Sequence, residues 1–177
     1  WRNASIIHLA PIANEIDSSL PNDFSPALLG VTPQGWMRHW DSSGRVSRSE
    51  WSDSESVLHK ANAVVISRED VNGDHELIEQ MAHQTRMLVV TEGAEGCVLH
   101  WNGDRRRFRA PDVNEVDATG AGDVFATAFF IRLLRTRDPW EAARFATLIA
   151  SISVTRVGLG GIPTQAEIES CLMEVLQ

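Results

Sequence analysis

An α/β fold, with a mostly parallel sheet and helices on both faces, is the expectation from this sequence. Three observations carry it. Short β-branched and aliphatic runs bounded by turn residues alternate with amphipathic stretches, the pattern of strand–helix–strand units. That alternation needs crossover connections, which favour parallel pairing. The third is Asp117-Ala118-Thr119-Gly120-Ala121-Gly122-Asp123, a glycine-rich turn that runs straight into the apolar stretch 124–130.

In chain order, residues 6–9 (Ile-Ile-His-Leu) read as a buried strand, and 27–31, 63–66 and 87–90 are further strand candidates. Between the last two, residues 69–84 carry Leu77, Ile78 and Met81 at helical spacing. Residues 34–51 are polar, hold three of the six tryptophans, and are expected to be a long irregular loop. Residues 97–101 and 105–109 flank Asn102-Gly103-Asp104 and predict a β-hairpin, because Asn-Gly suits the tight turn. Helices are expected over 124–135, 140–155 and 165–176. The last follows Pro163 with Thr164-Gln165-Ala166-Glu167, a capping-box spacing.

At 177 residues and 43% hydrophobic content, the chain is long enough for one sizeable core and a single domain. The net charge of −8 is spread along the sequence, which argues against nucleic-acid or membrane-surface binding. A phosphate would therefore be attracted locally, by amides, a helix end or a metal. Cys97 and Cys171 make neither a disulfide framework nor a zinc spacing, so a cytoplasmic location is expected. No apolar run is long enough to span a membrane. The chain opens on Trp1 and enters a strand almost at once, as if it began inside a larger domain; the other reading is a short protein with a processed start.

The loop at 117–123 carries the chemistry. Small residues let successive amides point into one space, and a helix N-terminus adds partial positive charge there, which makes an anion site. A carboxylate beside that site, Asp123, would repel a phosphate merely being held. It suits a base working next to a phosphate in transfer. No Gly-Lys-Ser/Thr follows, so this is not a P-loop. A dinucleotide fingerprint is closer in its glycine spacing, but it needs a strand just before the turn and an acidic residue closing a second strand. Residues 111–117 are acidic and irregular instead, and the later stretch is helical. The plain alternative is a glycine-rich helix entry with an ordinary N-terminal Asp.

Asp117-x-Thr119-Gly120-Ala121-Gly122-Asp123 and the small-residue helix after it resemble the second signature of the ribokinase-like (PfkB) carbohydrate and nucleoside kinases. Val89-Val90-Thr91-Glu92-Gly93-Ala94-Glu95-Gly96 is similar to the family's strand and turn along the nucleotide. Phe145-Ala146-Thr147 through Gly158, then Ile162-Pro163-Thr164, is similar to its closing helix and loop. The three motifs stand in the family's order from about residue 60 onward. The resemblance implies a three-layer α/β/α ribokinase-like (Rossmann-like) fold. Residues 1–177 would then be the C-terminal, nucleotide-binding part of a single kinase domain, with the N-terminal part and lid absent from this chain.

It further implies an ATP-dependent phosphotransferase acting on a hydroxyl of a sugar, nucleoside or cyclitol, with Mg2+ as cofactor. Asp123 would be the general base, and the amides of residues 121–123, in the turn that Gly120 opens, the anion hole. Side chains larger than Ala at 120–122 would push the phosphate away. Thr91, Gly93 and Gly96 match the nucleotide contacts. Thr147 falls where the family often has asparagine, and reads equally as a helix threonine bonded to a backbone carbonyl. Ser67-Arg68-Glu69-Asp70 stands at the Asn-x-x-Glu motif with both ends changed. Asp70 keeps a carboxylate for a water-mediated magnesium role, and a helix N-cap explains the same residues. Asp117, with carbonyls near 154–160, resembles a monovalent-cation (K+) site.

The arginines at 105, 106, 107 and 109 read as a solvated hairpin edge, and the histidines show no ligand spacing. Two further readings compete. One is a nucleotide-binding module without catalysis, since nothing here matches the family's acceptor-binding residues. The other is a dinucleotide oxidoreductase, which would prefer NAD. Exposed strand edges leave homo-oligomerisation open.

Overall fold

The computed structural model describes residues 3–18 and 27–173. Trp1 and residues 174–176 of the expected last helix lie outside them. Among the described residues the strands are β1 (Ile6–Leu9), β2 (Leu28–Val31), β3 (Arg38–Trp40), β4 (Val46–Arg48), β5 (Ala63–Ser67), β6 (Met87–Thr91), β7 (Cys97–Trp101) and β8 (Asp104–Phe108). The helices are α1 (Ser54–Lys60), α2 (His75–Gln84), α3 (Ala121–Thr136), α4 (Pro139–Ser153) and α5 (Gln165–Met173). The main sheet has the order β1-β2-β5-β6-β7-β8, and β3 and β4 form a sheet of two. Contacts divide the chain into two compact units, Trp1–Val90 with His100–Asp104, and Thr91–Leu99 with Arg105–Gln177.

In the first unit β1 runs parallel to β2, with Ile6 opposite Leu28 and Leu9 opposite Val31. β2 in turn runs parallel to β5, with Gly30 opposite Ala63. Leu28, Leu29 and Val31 are buried, as are residues 63–66 of β5. Such unbroken apolar runs are what strands covered on both faces require. Val57 and Leu58 of α1 and Ile78 and Met81 of α2 complete the core of this unit.

The expected loop over 34–51 is corrected. A 3-10 turn at Gln34–Met37 leads into the antiparallel pair β3–β4, with Trp40 opposite Val46. β4 is exposed along its whole length, so no period-2 pattern announces it. Its connection is built by Asp41, whose Oδ1 accepts from the Ser43 hydroxyl (2.6 Å) and from the amides of Ser43 and Arg45 (2.8 and 2.9 Å). Trp36 stacks on Trp51 at 5.2 Å, and its indole N–H donates to the Ile16 carbonyl.

Helix α2 begins at His75, six residues later than expected. Residues 68–73 form turns instead, and Asp74 is the cap, accepting from the Leu77 amide at 3.1 Å. The capping reading of Ser67–Asp70 is corrected with it: the Asp70 carboxylate accepts from the Ser67 amide and Ser67 Oγ from the Glu69 amide, closing a turn, not a helix.

The Asn-Gly hairpin joins β7 and β8 as expected, with Asn102 at φ +52 and Gly103 at φ +80, the pair of left-handed residues a type I′ turn needs. In the second unit α3 and α4 pack side by side. Phe125, Phe129 and Phe130 of α3 and Ala142, Ala143 and Ala146 of α4 are all buried. Asp138 caps α4 by accepting from the Trp140 and Glu141 amides, with Pro139 in the first turn. Burial opposes charge on Glu141, but bonds from Arg144 and Arg132 outweigh it and hold the carboxyl below its usual range. The capping box of α5 is formed: the Glu167 carboxylate accepts from the Thr164 amide at 2.7 Å.

Candidate active site

Helix α3 starts three residues earlier than the apolar run suggests, so Gly122 and Asp123 lie in its first turn. Gly120 precedes the helix at φ +80, ψ 0, a left-handed conformation that L side chains rarely adopt. That turn aims the helix start at open space, and a Cβ built on Gly122 meets nothing within 4 Å. The Ala121 amide donates to the Ala118 carbonyl at 3.1 Å, and the helical ladder opens with the Val124 amide on the Gly120 carbonyl. Between them, the amides of Gly122 and Asp123 are first-turn donors of the kind a helix leaves without an intrahelical acceptor.

Beside this turn lies a cavity of about 200 Å3 within the second unit. Thr91, Gly93, Gly96 and Thr147 line it together with Ala121 and Gly122, so six of the ten site residues named from the sequence share one space. Gly120 and Asp123 are exposed at the helix start and are not part of that lining. Gly96 is held at φ +91, where a Cβ would come 2.0 Å from the Phe108 carbonyl oxygen. The turn is closed by the Glu92 amide on the Gly96 carbonyl, and Arg107 pairs with the Glu92 carboxylate.

Thr147 is buried, and its hydroxyl donates to the Ala143 carbonyl at 2.8 Å. Towards a ligand it can therefore only accept. Its oxygen also lies 3.4 Å from the Cys97 sulfur. Burial pushes the Cys97 thiol up to about 11, against the lowering effect of that contact.

Asp117 and Asp70 stand outside the cavity lining, in different units. The Asp117 carboxylate ties its own loop to the segment after α4: one oxygen accepts from the Thr119 amide at 2.9 Å, the other from the Gly158 amide at 2.8 Å. Those two amides, Gly158 first, hold its pKa below the usual carboxylate range. Asp70 accepts from the Ser67 amide at 2.9 Å and from the Gln34 side chain at 3.1 Å, with Arg38 at 3.9 Å. Among the described residues no group of three or more His, Cys, Asp or Glu is placed to hold a metal ion. No helix among them is long and apolar enough to cross a membrane.

The pfkB family of carbohydrate kinases matches residues 52–165, which takes in the Gly93–Gly96 turn and the whole of α3 and α4. This chain belongs to the pfkB carbohydrate kinase family. Among its relatives, Escherichia coli fructokinase is 28% identical over 192 residues, covering 96% of this chain and 62% of that protein. Bacillus subtilis ribokinase is 38% identical over 97 residues, covering 53% of this chain and 32% of its own length. The fold matches that of Xylella fastidiosa fructokinase solved with bound ATP, at TM-score 0.75 and 16% identity, over 98% of this chain and 62% of that one. The pfkB chain thus spans less than two thirds of the length of these relatives.

Sequence reasoning missed part of the pfkB cavity. Ala150, Ser151 and Val154 line it beside Thr147. Their spacing of three, four and seven residues from Thr147 puts them on one helical face, a signal present in the sequence. Phe125 is four residues beyond Ala121 and could have been found in the same way. Asp112, Val113 and Glu115 also line the cavity, but they come from an extended segment without periodicity. On β8, Arg106 lies 4.2 Å over the Trp140 ring, so the arginine row has packing partners as well as an exposed edge. A second, polar hollow in the first unit, near 14–18, 36–39 and 49–53, has two of its carboxylates engaged: Glu15 by the Ile12 and Ala13 amides, Asp53 by the Ser18 hydroxyl.

Proposed function

We propose that this chain is the nucleotide-binding part of an ATP-dependent kinase that phosphorylates a hydroxyl of a sugar, nucleoside or cyclitol. The observation that carries the reading is that one cavity is lined by Thr91, Gly93, Gly96 and Thr147 together with Ala121 and Gly122. Apolar and small side chains suit a heteroaromatic base, and the start of α3 suits the phosphates.

In this reading Asp123 takes the proton of the acceptor hydroxyl as its oxygen attacks the γ-phosphorus. The bond to the β-phosphate oxygen breaks, and ADP leaves. First-turn amides of α3 accept the charge that gathers on the transferred group, and removing one such donor costs on the order of 10²–10³ in rate at a comparable site. A magnesium ion carried on a nucleotide keeps several waters and needs one or two carboxylates, not a cage. Asp70 would hold it through water, and Asp117 with the 154–160 carbonyls a monovalent cation. Bound there, Mg2+ would supply charge neutralisation on the phosphates.

A second reading, a nucleotide-binding module without transfer, is favoured by the way Asp70 is already held by Ser67, Gln34 and Arg38. Calorimetric titration with ATP and Mg2+, beside NAD, tests the shared premise. Gly122→Arg is a suitable control because its side chain enters open space and leaves the fold unstrained. Binding of ATP that Gly122→Arg abolishes supports the site. Failure of the folded chain to bind ATP, or a preference for NAD, overturns it. Turnover of a polyol in the presence of bound ATP separates the two readings.

A further inference from the structure

Two sets of bonds tie the loop that enters α3 to the segment after α4. Asp117 accepts from the Thr119 amide through one carboxylate oxygen, at 2.9 Å, and from the Gly158 amide through the other, at 2.8 Å. Beside this, the Val116 and Asp117 amides both donate to the Val154 carbonyl, at 2.8 and 3.1 Å. The far end of the ties is itself held. A Cβ on Gly161 would come 2.4 Å from the Ser153 carbonyl oxygen at the end of α4. Arg156 pairs with Glu167 at 3.1 Å, and Glu167 belongs to the cap of α5.

Residues 118–120 carry the chain from Asp117 to α3 and are exposed, without helix or strand. Small side chains in water do little to fix where such a stretch stands. The Asp117 bond to the Thr119 amide fixes it one residue short of Gly120, where α3 opens. A phosphate bound by first-turn amides needs them already in place. Any time the loop spends elsewhere lowers the apparent affinity by the same fraction.

We infer that Asp117 is a positioning residue: by accepting from two amides, its carboxylate sets the start of α3 for the triphosphate, and this role needs no cation. The inference rests on the nucleotide reading above. An ionised carboxylate has about four lone-pair sites, so a cation beside Asp117 would add to the tie without replacing it.

The test is calorimetry on the whole chain with ATP and Mg2+ and, separately, with adenosine, each in tetramethylammonium chloride and in KCl. Asp117→Asn keeps the shape of the side chain but turns one acceptor into an NH2 that faces an amide N–H. With its fold checked by a thermal melt, it should bind ATP about tenfold more weakly in both salts, the scale of one hydrogen bond to a charged acceptor. Adenosine, which makes no demand on the helix start, should bind as before. Asp117→Glu keeps the charge on a longer arm, should show the same loss, and serves if the asparagine variant does not fold. Equal weakening of ATP and adenosine, or no loss for ATP, overturns the inference and leaves the nucleotide site standing. So does a loss seen only in KCl, or binding of ATP by the unaltered chain only in KCl, because the carboxylate would then act as a cation ligand. Absence of ATP binding by the unaltered chain in both salts overturns the nucleotide reading as well.

Discussion

At the scale of single residues, two glycines in the same cavity do different work. Gly96 is demanded by the fold: it sits at φ +91 with the Phe108 carbonyl oxygen 2.0 Å from where a Cβ would be. Gly122 is under no such constraint from the fold, since nothing in the protein occupies the space beside it. Gly96→Ala should therefore lower the melting temperature by several degrees or prevent folding, while Gly122→Arg should leave the protein folded and abolish ATP binding. If the two variants behaved alike in a thermal melt, this division would be wrong. Asp123 belongs to a third category, exposed in the first turn of α3 with no structural duty beyond the helix dipole. Asp123→Asn should keep ATP affinity and lower phosphoryl transfer by about 10²–10⁴-fold, the usual contribution of a positioned base. Transfer rates measured with a polyol acceptor would check it.

At the scale of elements, α3 and α4 line the cavity, and both carry buried side chains. Phe129 is fully buried between Phe125 at 6.3 Å and Phe130 at 5.8 Å. Phe129→Ala should cost about 3–5 kcal/mol, read from denaturant unfolding. Much of this level was legible in advance. Continuous apolar runs gave β1, β2, β5 and β6, Asn-Gly gave the β7–β8 hairpin, and the Thr164–Glu167 spacing gave the cap of α5, because each of those signals is local. Less legible was whatever depends on side chains serving the backbone. β3 and β4 are held together by an Asp41 turn with polar strands on either side, which looks like a loop to any pattern of apolar residues. Asp74, not Ser67, caps α2, since the intervening Asn72 and Gly73 turn the chain with positive φ. For the cavity itself, Thr91, Gly93, Gly96 and Thr147 came from resemblance to a family. The face of α4 that continues it past Thr147 needed only helical arithmetic.

Over the whole molecule, a few carboxylates held by hydrogen bonds and arginines make stability depend on pH. Asp117, Glu141 and Glu167 all have their pKa lowered by hydrogen bonds and arginines. A depressed folded value means that the native state binds fewer protons than the unfolded chain. The stabilisation is thus present above the unfolded value, roughly pH 4, and is lost as pH falls through the folded ones. Cys97 sets the opposite limit: with its thiol raised to about 11, the stabilisation is complete below the ordinary thiol value and is lost as pH rises through the folded one. Denaturant midpoints measured from pH 3 to 10 should therefore trace a plateau that falls on the acid side first, and a midpoint that rose on acidification would contradict this account. The tryptophans offer a way to watch it. The chain has no tyrosine, and among the described residues Trp140 is the one tryptophan of the second unit, with Phe108 stacked beside it and Arg106 over its ring. Its fluorescence, isolated by replacing the other five tryptophans with phenylalanine, becomes an optical signal for the half of the molecule that carries the cavity, one that needs no attached dye.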